Sequence, residues 1–232
     1  MRLDKYLANM HIGSRSEVKE LIRKGLVSVN GNPVKDPGFS LSGSENVTAK
    51  GQAVEYREHF YYMLNKPAGI VTATEDKRDK TVLDLFPEEI RRGLIPAGRL
   101  DKDTVGLLLI TDDGDLVHRL LSPAHHVDKR YLLHTDIAMD KTDIEAFRAG
   151  LTLQDGTELK EALLEISEAD PCKAVITIRE GKYHQIKRML ASRGKQVIYL
   201  KRLSMGPLTL DPTLNEGEYR ELTETEISSL LN

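Results

Sequence analysis

Asp101 is the carboxylate with the most chemical promise in this chain. It stands in Gly98-Arg99-Leu100-Asp101, on a turn ahead of the apolar run Leu107–Ile110, which closes on Asp112-Asp113-Gly114. A short run of this kind, β-branched at its end and followed by turn residues, reads as a buried strand. Asp101 is therefore expected on a loop at the mouth of a packed strand, where a scaffold holds a reactive group rigidly. Asp112-Asp113-Gly114 reads as turn chemistry, with Asp capping its own backbone and Gly114 at positive φ. Further on, Lys182, His184, Gln185, Lys187 and Arg188 cluster after a strand and over a helix start. Alone, that cluster reads equally as a solvated face or an anion site. Beside Asp101 it supplies the cation that a desolvated carboxylate needs to stay ionised. Tyr131, within Asp128-Lys129-Arg130-Tyr131-Leu132, suits stacking of a nucleobase. A core-facing strand residue is the equal alternative.

Other chemistries fit less well. Asp101, Asp103, Gly106 and Asp112 partly mimic a calcium loop, but Val105 and the short Asp112 occupy positions that need an oxygen ligand and a reaching Glu. No metal site is expected. His125 and His126 are adjacent, so in a strand they would face opposite sides, and a single cysteine, Cys172, leaves no thiolate cluster and no intrachain disulfide. Cys172 carries no functional argument. The sequence lacks a Gly-x-Ser-x-Gly elbow and both glycine-rich nucleotide fingerprints.

The elements that must position these residues can be read from pattern. Ser14-Arg15-Ser16-Glu17 is a capping box, Val18, Leu21 and Ile22 form an apolar stripe, and Gly25 stops the helix. Arg15, Lys19 and Arg23 share a face away from that stripe. Leu26–Val29 is a short strand, Asn30-Gly31 a hairpin turn, and Pro33-Val34 the start of the return strand. Leu3, Tyr6 and Leu7 suggest an earlier helix. A linker ends near Glu58, so the expected division is 1–58 and 59–232. In the second part Phe60–Val71 reads as strand, turn and strand, and Asp84–Arg92 as a short helix limited by Pro87. Tyr131–Thr135, Ala174–Ile178, Val197–Leu200 and Leu208–Leu210 are strands. Asp140–Gly150 is a helix with Ile144 and Phe147 inward, and Thr223–Glu226 opens a terminal helix. Strands outnumber helices irregularly, which favours an α+β class with a mixed, largely antiparallel sheet.

Of the 232 residues 40% are hydrophobic and 30% charged, with a net charge of −3. Residues 1–50 hold eight Lys and Arg against five Asp and Glu, so a head of +3 sits on a body of −6. That asymmetry suggests a localised nucleic-acid contact. No stretch is long and apolar enough to span a membrane, and the charged Met1–Lys5 lacks a secretory segment. A cytoplasmic monomer without a cofactor is the expectation.

Residues 1–58 resemble the S4 RNA-binding domain, through Arg2-Leu3-Asp4-Lys5, the capped helix and Val27-Ser28-Val29-Asn30-Gly31. The rest resembles the RNA pseudouridine synthases: Asn65–Gly69 their first motif, Gly98–Gly114 the catalytic motif, Lys129–Leu132 the tyrosine motif and Glu180–Met189 the basic motif. The resemblance implies an S4-like unit followed by a larger catalytic domain. It implies Asp101 as the catalytic aspartate, Tyr131 as the residue that stacks on the target base and Lys187 as the ion-pair partner. Arg99 would contact RNA or fill the space left by a flipped base. Arg2, Lys5, Arg15, Lys19, Arg23, Lys182, His184, Gln185 and Arg188 complete the implied RNA contacts. Lys187 departs from the Arg of most relatives and loses its planar fork. That Lys and Ser122-Pro123-Ala124-His125-His126 resemble the small-subunit type, which implies 16S ribosomal RNA or a small-subunit assembly intermediate as partner. The competing readings are a non-catalytic RNA-binding assembly factor and a base-releasing glycosidase.

Overall fold

The computed structural model describes residues 1–122 and 126–231, so Pro123, Ala124 and His125 lie outside the described residues. The chain divides into two units, one of Met1–His59 with Phe86–Arg92, the other of Phe60–Leu85 with Gly93–Asn232.

The first unit begins with helices α1 (Leu3–Asn9) and α2 (Arg15–Arg23). Ser14 and Glu17 form the reciprocal capping box that their spacing predicts. Gly25 N–H bonds to Ile22 O at 2.9 Å and Leu26 N–H to Leu21 O at 3.1 Å, which ends α2. Four antiparallel strands follow: β1 (Val27–Val29), β2 (Asn32–Pro33), β3 (Val47–Ala49) and β4 (Gln52–Val54), in the order β2-β1-β3-β4. Asn30 and Gly31 turn between β1 and β2 with φ of 51° and 79°. Both central residues are left-handed, the requirement that makes Asn-Gly the favoured pair. Leu3, Leu7, Val18, Ile22, Val27 and Val47 fill the core between helices and sheet. Helix α3 (Glu88–Arg91), one turn after Pro87, groups with this unit.

In the second unit β5 (Tyr61–Lys66) and β7 (Val105–Thr111) are buried along their whole length. Between them in sequence lie a 3-10 turn at Val82–Leu85 and β6 (Ile95–Pro96). Ile70 and Val71 form no strand, only a bridge from Val71 to Thr81. Asp112-Asp113-Gly114 is not a simple turn. Asp113 caps α4 (Gly114–Leu121) by accepting Leu116 N–H at 2.8 Å, and Gly114 opens that helix without positive φ. A turn and an N-cap use the same residue types, so local sequence did not separate them.

Next come β8 (Lys129–Thr135), α5 (Lys141–Ala149), β9 (Leu151–Thr152) and β10 (Glu158–Leu159). In α5 Phe147 is buried, but its buried neighbour is Asp143, paired with Arg193 and Lys195 at 3.0 Å each; Ile144 is only half-buried. The chain continues through β11 (Leu163–Ile166), β12 (Lys173–Ile178), α6 (Gln185–Ser192) and β13 (Val197–Met205). It closes with β14 (Leu208–Thr209), β15 (Tyr219–Glu221) and α7 (Glu224–Leu231), the last opened by Thr223 and Glu226 as a capping box.

The main sheet runs β11-β12-β8-β13-β7-β5-β15, antiparallel except where β13 meets β7. The α+β class with a mixed, mainly antiparallel sheet therefore stands. A Cβ at Gly106 would lie 2.3 Å from Arg202 O, so only glycine, here at φ 100°, permits the close parallel approach of β7 and β13. Strand β13 extends five residues beyond the Leu200 expected from sequence. It carries a register shift between Arg202 and Ser204, opposite β8. Leucines of β7 pack with Met63, Leu116, Leu120 and Leu230, so α4 and α7 cover this part of the sheet.

Candidate active site

Asp101 lies in the loop that feeds β7, and the backbone of that loop is held from beneath by a buried lysine. Lys66, at the end of β5, is fully buried. Its Nζ donates to Thr104 O at 2.9 Å, to Pro67 O and Asp101 O at 3.1 Å each, and to Lys102 O at 3.4 Å. Thr72 adds a second fastening: its Oγ1 donates to Leu100 O at 2.8 Å and accepts Leu100 N–H at 3.2 Å. The carboxylate of Asp101 is thus presented by a loop whose carbonyls are spoken for. The sequence reading assigned no role to Lys66 or Thr72. A lysine ending a mainly apolar strand just before Pro67 was the available signal.

Burial lowers the Lys66 pKa to about 8, against the opposing pull of Asp103 and Asp101. The unfolded chain therefore holds this proton between about pH 8 and 10.5 where the folded chain does not, so folding stability rises with pH across that window. Lys66→Met is expected to lose about 2–4 kcal/mol at pH 7, because buried carbonyls lose donors. Its stability deficit should widen from pH 8 to pH 10, since the variant lacks the rise. Urea unfolding at both pH values checks the sign; a deficit that narrows with pH would refute the account.

The cation comes from α6. Lys187, in its first turn, places Nζ 3.0 Å from Asp101 Oδ2 and 2.5 Å from Asp103 Oδ1. Burial pushes Asp103 up, but the hydrogen bond and charge of Lys187 hold it below the usual carboxylate range. Burial likewise pushes Lys187 down, and the hydrogen bonds it donates to both carboxylates more than reverse this. His184 precedes the helix in a left-handed conformation, φ 47°, with Nε2 3.5 Å from Asp101 Oδ1. The exposed Tyr183 ring stacks on it at 3.8 Å.

Tyr131, on β8, is buried yet lines the recess beside Asp101 and a cleft of about 730 Å³ next to it. Arg99 and Lys182 border both. Sequence-expected residues from four places in the chain, Arg99 with Asp101, Tyr131, Lys182 with His184, and Lys187, therefore meet around one recess.

Three other residues expected at RNA also bond within the protein. Gln185 is buried, with Oε1 accepting Lys182 N–H at 3.0 Å and Nε2 donating to Glu180 at 2.8 Å, so it shapes the loop. Arg188 is paired with Asp155 at 2.5 Å and bonds Thr157. Arg2 forks onto Asp4 through Nε and Nη2 at 3.0 and 2.9 Å. Arg2 and Gln185 find these partners within five residues along the chain, whereas Asp155 and Thr157 lie far from Arg188 in sequence. In the first unit Lys5, Arg15 and Arg23 are exposed and Lys19 half-buried on α1 and α2. The calcium-loop geometry does not form: Asp103 pairs with Lys187, while Asp112 accepts Phe60 N–H at 2.8 Å at the far end of β7. His126 is exposed on a left-handed turn outside any strand, and Cys172 is half-buried.

Known proteins are similar to this chain over its whole length. The model of the RNA pseudouridylate synthase family matches residues 60–192, and that of the S4 domain matches residues 1–47. The chain is 50% identical to an uncharacterized RNA pseudouridine synthase of Bacillus subtilis, over 99% of this chain and 98% of the relative. It is 42% identical to the ribosomal small subunit pseudouridine synthase A of Escherichia coli across the whole length of both. A crystal structure of a pseudouridylate synthase resembles it with a TM-score of 0.71 and 38% identity, covering 99% of each chain.

Proposed function

Because the chain belongs to the RNA pseudouridine synthase family and carries an S4 domain, we propose that it isomerises one uridine of 16S ribosomal RNA to pseudouridine with Asp101 as the essential carboxylate. The observation that carries this reading is the Asp101–Lys187 ion pair at 3.0 Å, at a recess lined by Tyr131. The reaction breaks N1–C1′, turns the uracil while it stays bound, and joins C5 to C1′. The proton leaving C5 passes to solvent and N1 gains one, so atoms and electrons balance with no redox partner.

One carboxylate suffices for this, as attacking nucleophile or as the base that removes the 2′ hydrogen. Hydrolysis of a glycosidic bond would ordinarily use two carboxyl groups flanking it. Asp103 is the neighbouring acid, but it shares Lys187 with Asp101 rather than standing across the recess. Flipping the base from helical RNA costs a few kcal/mol. Stacking on Tyr131, worth about 1–3 kcal/mol, offsets part of that cost, and phosphate contacts by Lys5, Arg15, Lys19 and Arg23 supply more. Arg99, exposed at the rim, is suited to RNA or to the space the base leaves.

In this reading residues 1–58 hold RNA and 59–232 carry the chemistry. The protein acts as a cytoplasmic monomer, on an assembly intermediate in which the base is still accessible. The small-subunit substrate is the one named for the Escherichia coli relative. Pseudouridine mapping of 16S RNA with and without the gene tests it: one site should vanish and return on complementation. An unchanged 16S map with a site lost from another RNA would overturn the substrate. Free uracil among the products would favour a glycosidase, and no tritium release from 5-tritiated uridine RNA would favour a non-catalytic assembly factor.

A further inference from the structure

The cleft beside Tyr131 has two buried cations at its floor that the reaction as described does not use. On β13 Arg202 stands opposite Tyr131 of β8, and Lys129 lies two residues before Tyr131 on the same face. Arg202 is 2% exposed and Lys129 8%. Arg202 Nε donates to Leu107 O at 2.6 Å, while its Nη2 is buried without a hydrogen-bond partner among the described residues. Lys129 Nζ donates to Val127 O at 2.9 Å, its one hydrogen bond among the described residues. Neither cation is joined to a carboxylate among the described residues. Asp128, the acid whose charge reaches Lys129, is held by Arg179 at 2.7 Å. Burial and the charge of Arg202 both lower the Lys129 pKa.

Burying two like charges without a counter-charge is unfavourable unless a bound anion completes the site. The cleft of about 730 Å³ over them has the size of a nucleotide site. Its acids do not neutralise the floor: Glu180 accepts from Lys160 N and Gln185, and Glu158 lies at the rim with Lys160 and Lys182. The cleft shares Arg99, Tyr131 and Lys182 with the Asp101 recess, so its anion must belong to the same nucleotide or the next.

We propose that Lys129 and Arg202 form a phosphate subsite, which holds the RNA backbone phosphate adjoining the nucleotide whose base lies on Tyr131. The inference rests on reading the recess as the site of a flipped uridine. Guanidinium and ammonium donors favour a phosphate through charge-assisted hydrogen bonds, and holding it fixes the sugar against Asp101.

Calorimetric titration of the full chain with uridine, uridine 5′-monophosphate and uridine 3′-monophosphate tests this without turnover. One monophosphate should bind at least about 10-fold more tightly than uridine. Lys129→Met should reduce that advantage to below about 3-fold, with uridine affinity unchanged. Arg202→Gln should do the same; if it fails to fold, Lys129→Met decides alone. The proposal is overturned if neither monophosphate outbinds uridine, or if folded Lys129→Met keeps the full advantage. A protein that prefers a monophosphate yet shows no Asp101-dependent isomerisation would keep the subsite and lose the reading it rests on.

Discussion

Asp101→Asn is expected to bind its RNA as tightly as the parent chain, within a factor of about two, while pseudouridine formation falls by at least about 10³-fold. The amide keeps the size and most of the hydrogen bonding of the carboxylate, but it is neither a nucleophile nor a base. The loop stays in place because Lys66 and Thr72 hold its backbone carbonyls, not the Asp101 side chain. Binding is expected to survive because, in the proposed reading, phosphate contacts rest on the S4 lysines and arginines and the cleft cations rather than on Asp101. Equilibrium binding and single-turnover tritium release, measured on the same preparation, separate the two quantities. Retained turnover in a preparation free of parent enzyme would remove Asp101 from the mechanism; equal loss of binding and turnover would make it a structural residue.

Lys187→Met is the second large effect, with turnover down by about 10²-fold or more and its acid limb moved to higher pH. In the parent, Lys187 is shared between Asp101 and Asp103. Asp103 contributes stability above its unfolded value of 3.8, lost as pH falls through its lower folded value. Lys187 contributes stability fully present below its unfolded value of 10.5, lost as pH rises through its higher folded value. The pair is thus intact from about pH 4 to beyond pH 10. Without the cation Asp103 loses the hydrogen bond and the charge that hold its carboxyl below the usual range, and Asp101 loses its 3.0 Å ion-pair partner. Because Lys187 is about a quarter exposed, the stability cost is kept to about 2 kcal/mol, less than for a fully buried pair. Lys187→Arg restores the charge and should return most of the turnover. The pH profiles of the three proteins decide this: a Lys187→Met profile that is lower but unshifted would mean that Lys187 only packs.

Local patterns proved legible wherever a few neighbouring residues carry the whole instruction. The Ser14–Glu17 and Thr223–Glu226 capping boxes, the Asn30-Gly31 turn and the apolar spacing in α6 each act within one turn of chain. Errors fell where one residue type serves two local purposes. Asp113 and Gly114 suited a turn and became a helix start, and Val71 suited a strand but found only a bridge to Thr81. Arg2, Gln185 and Arg188, expected at RNA, also bond within the protein: Arg2 and Gln185 to residues close along the chain, Arg188 to Asp155, which only the fold brings near.

By itself the sequence determined the α+β class, the order of the motifs and which residue types could do chemistry, because capping, alternation and turn preference are short-range energies. Tertiary structure alone decided that Lys66 would grip the Asp101 loop, that Lys187 would divide itself between two carboxylates, and that Arg202 would lie opposite Tyr131. The antiparallel β5–β7 pairing sets Lys66 opposite Gly106, and the β8–β13 register, beside the parallel β7–β13 approach at that glycine, sets Arg202 opposite Tyr131. A register flips whole faces when it moves by one residue, and it is set by the packing of all the strands together rather than by any one of them.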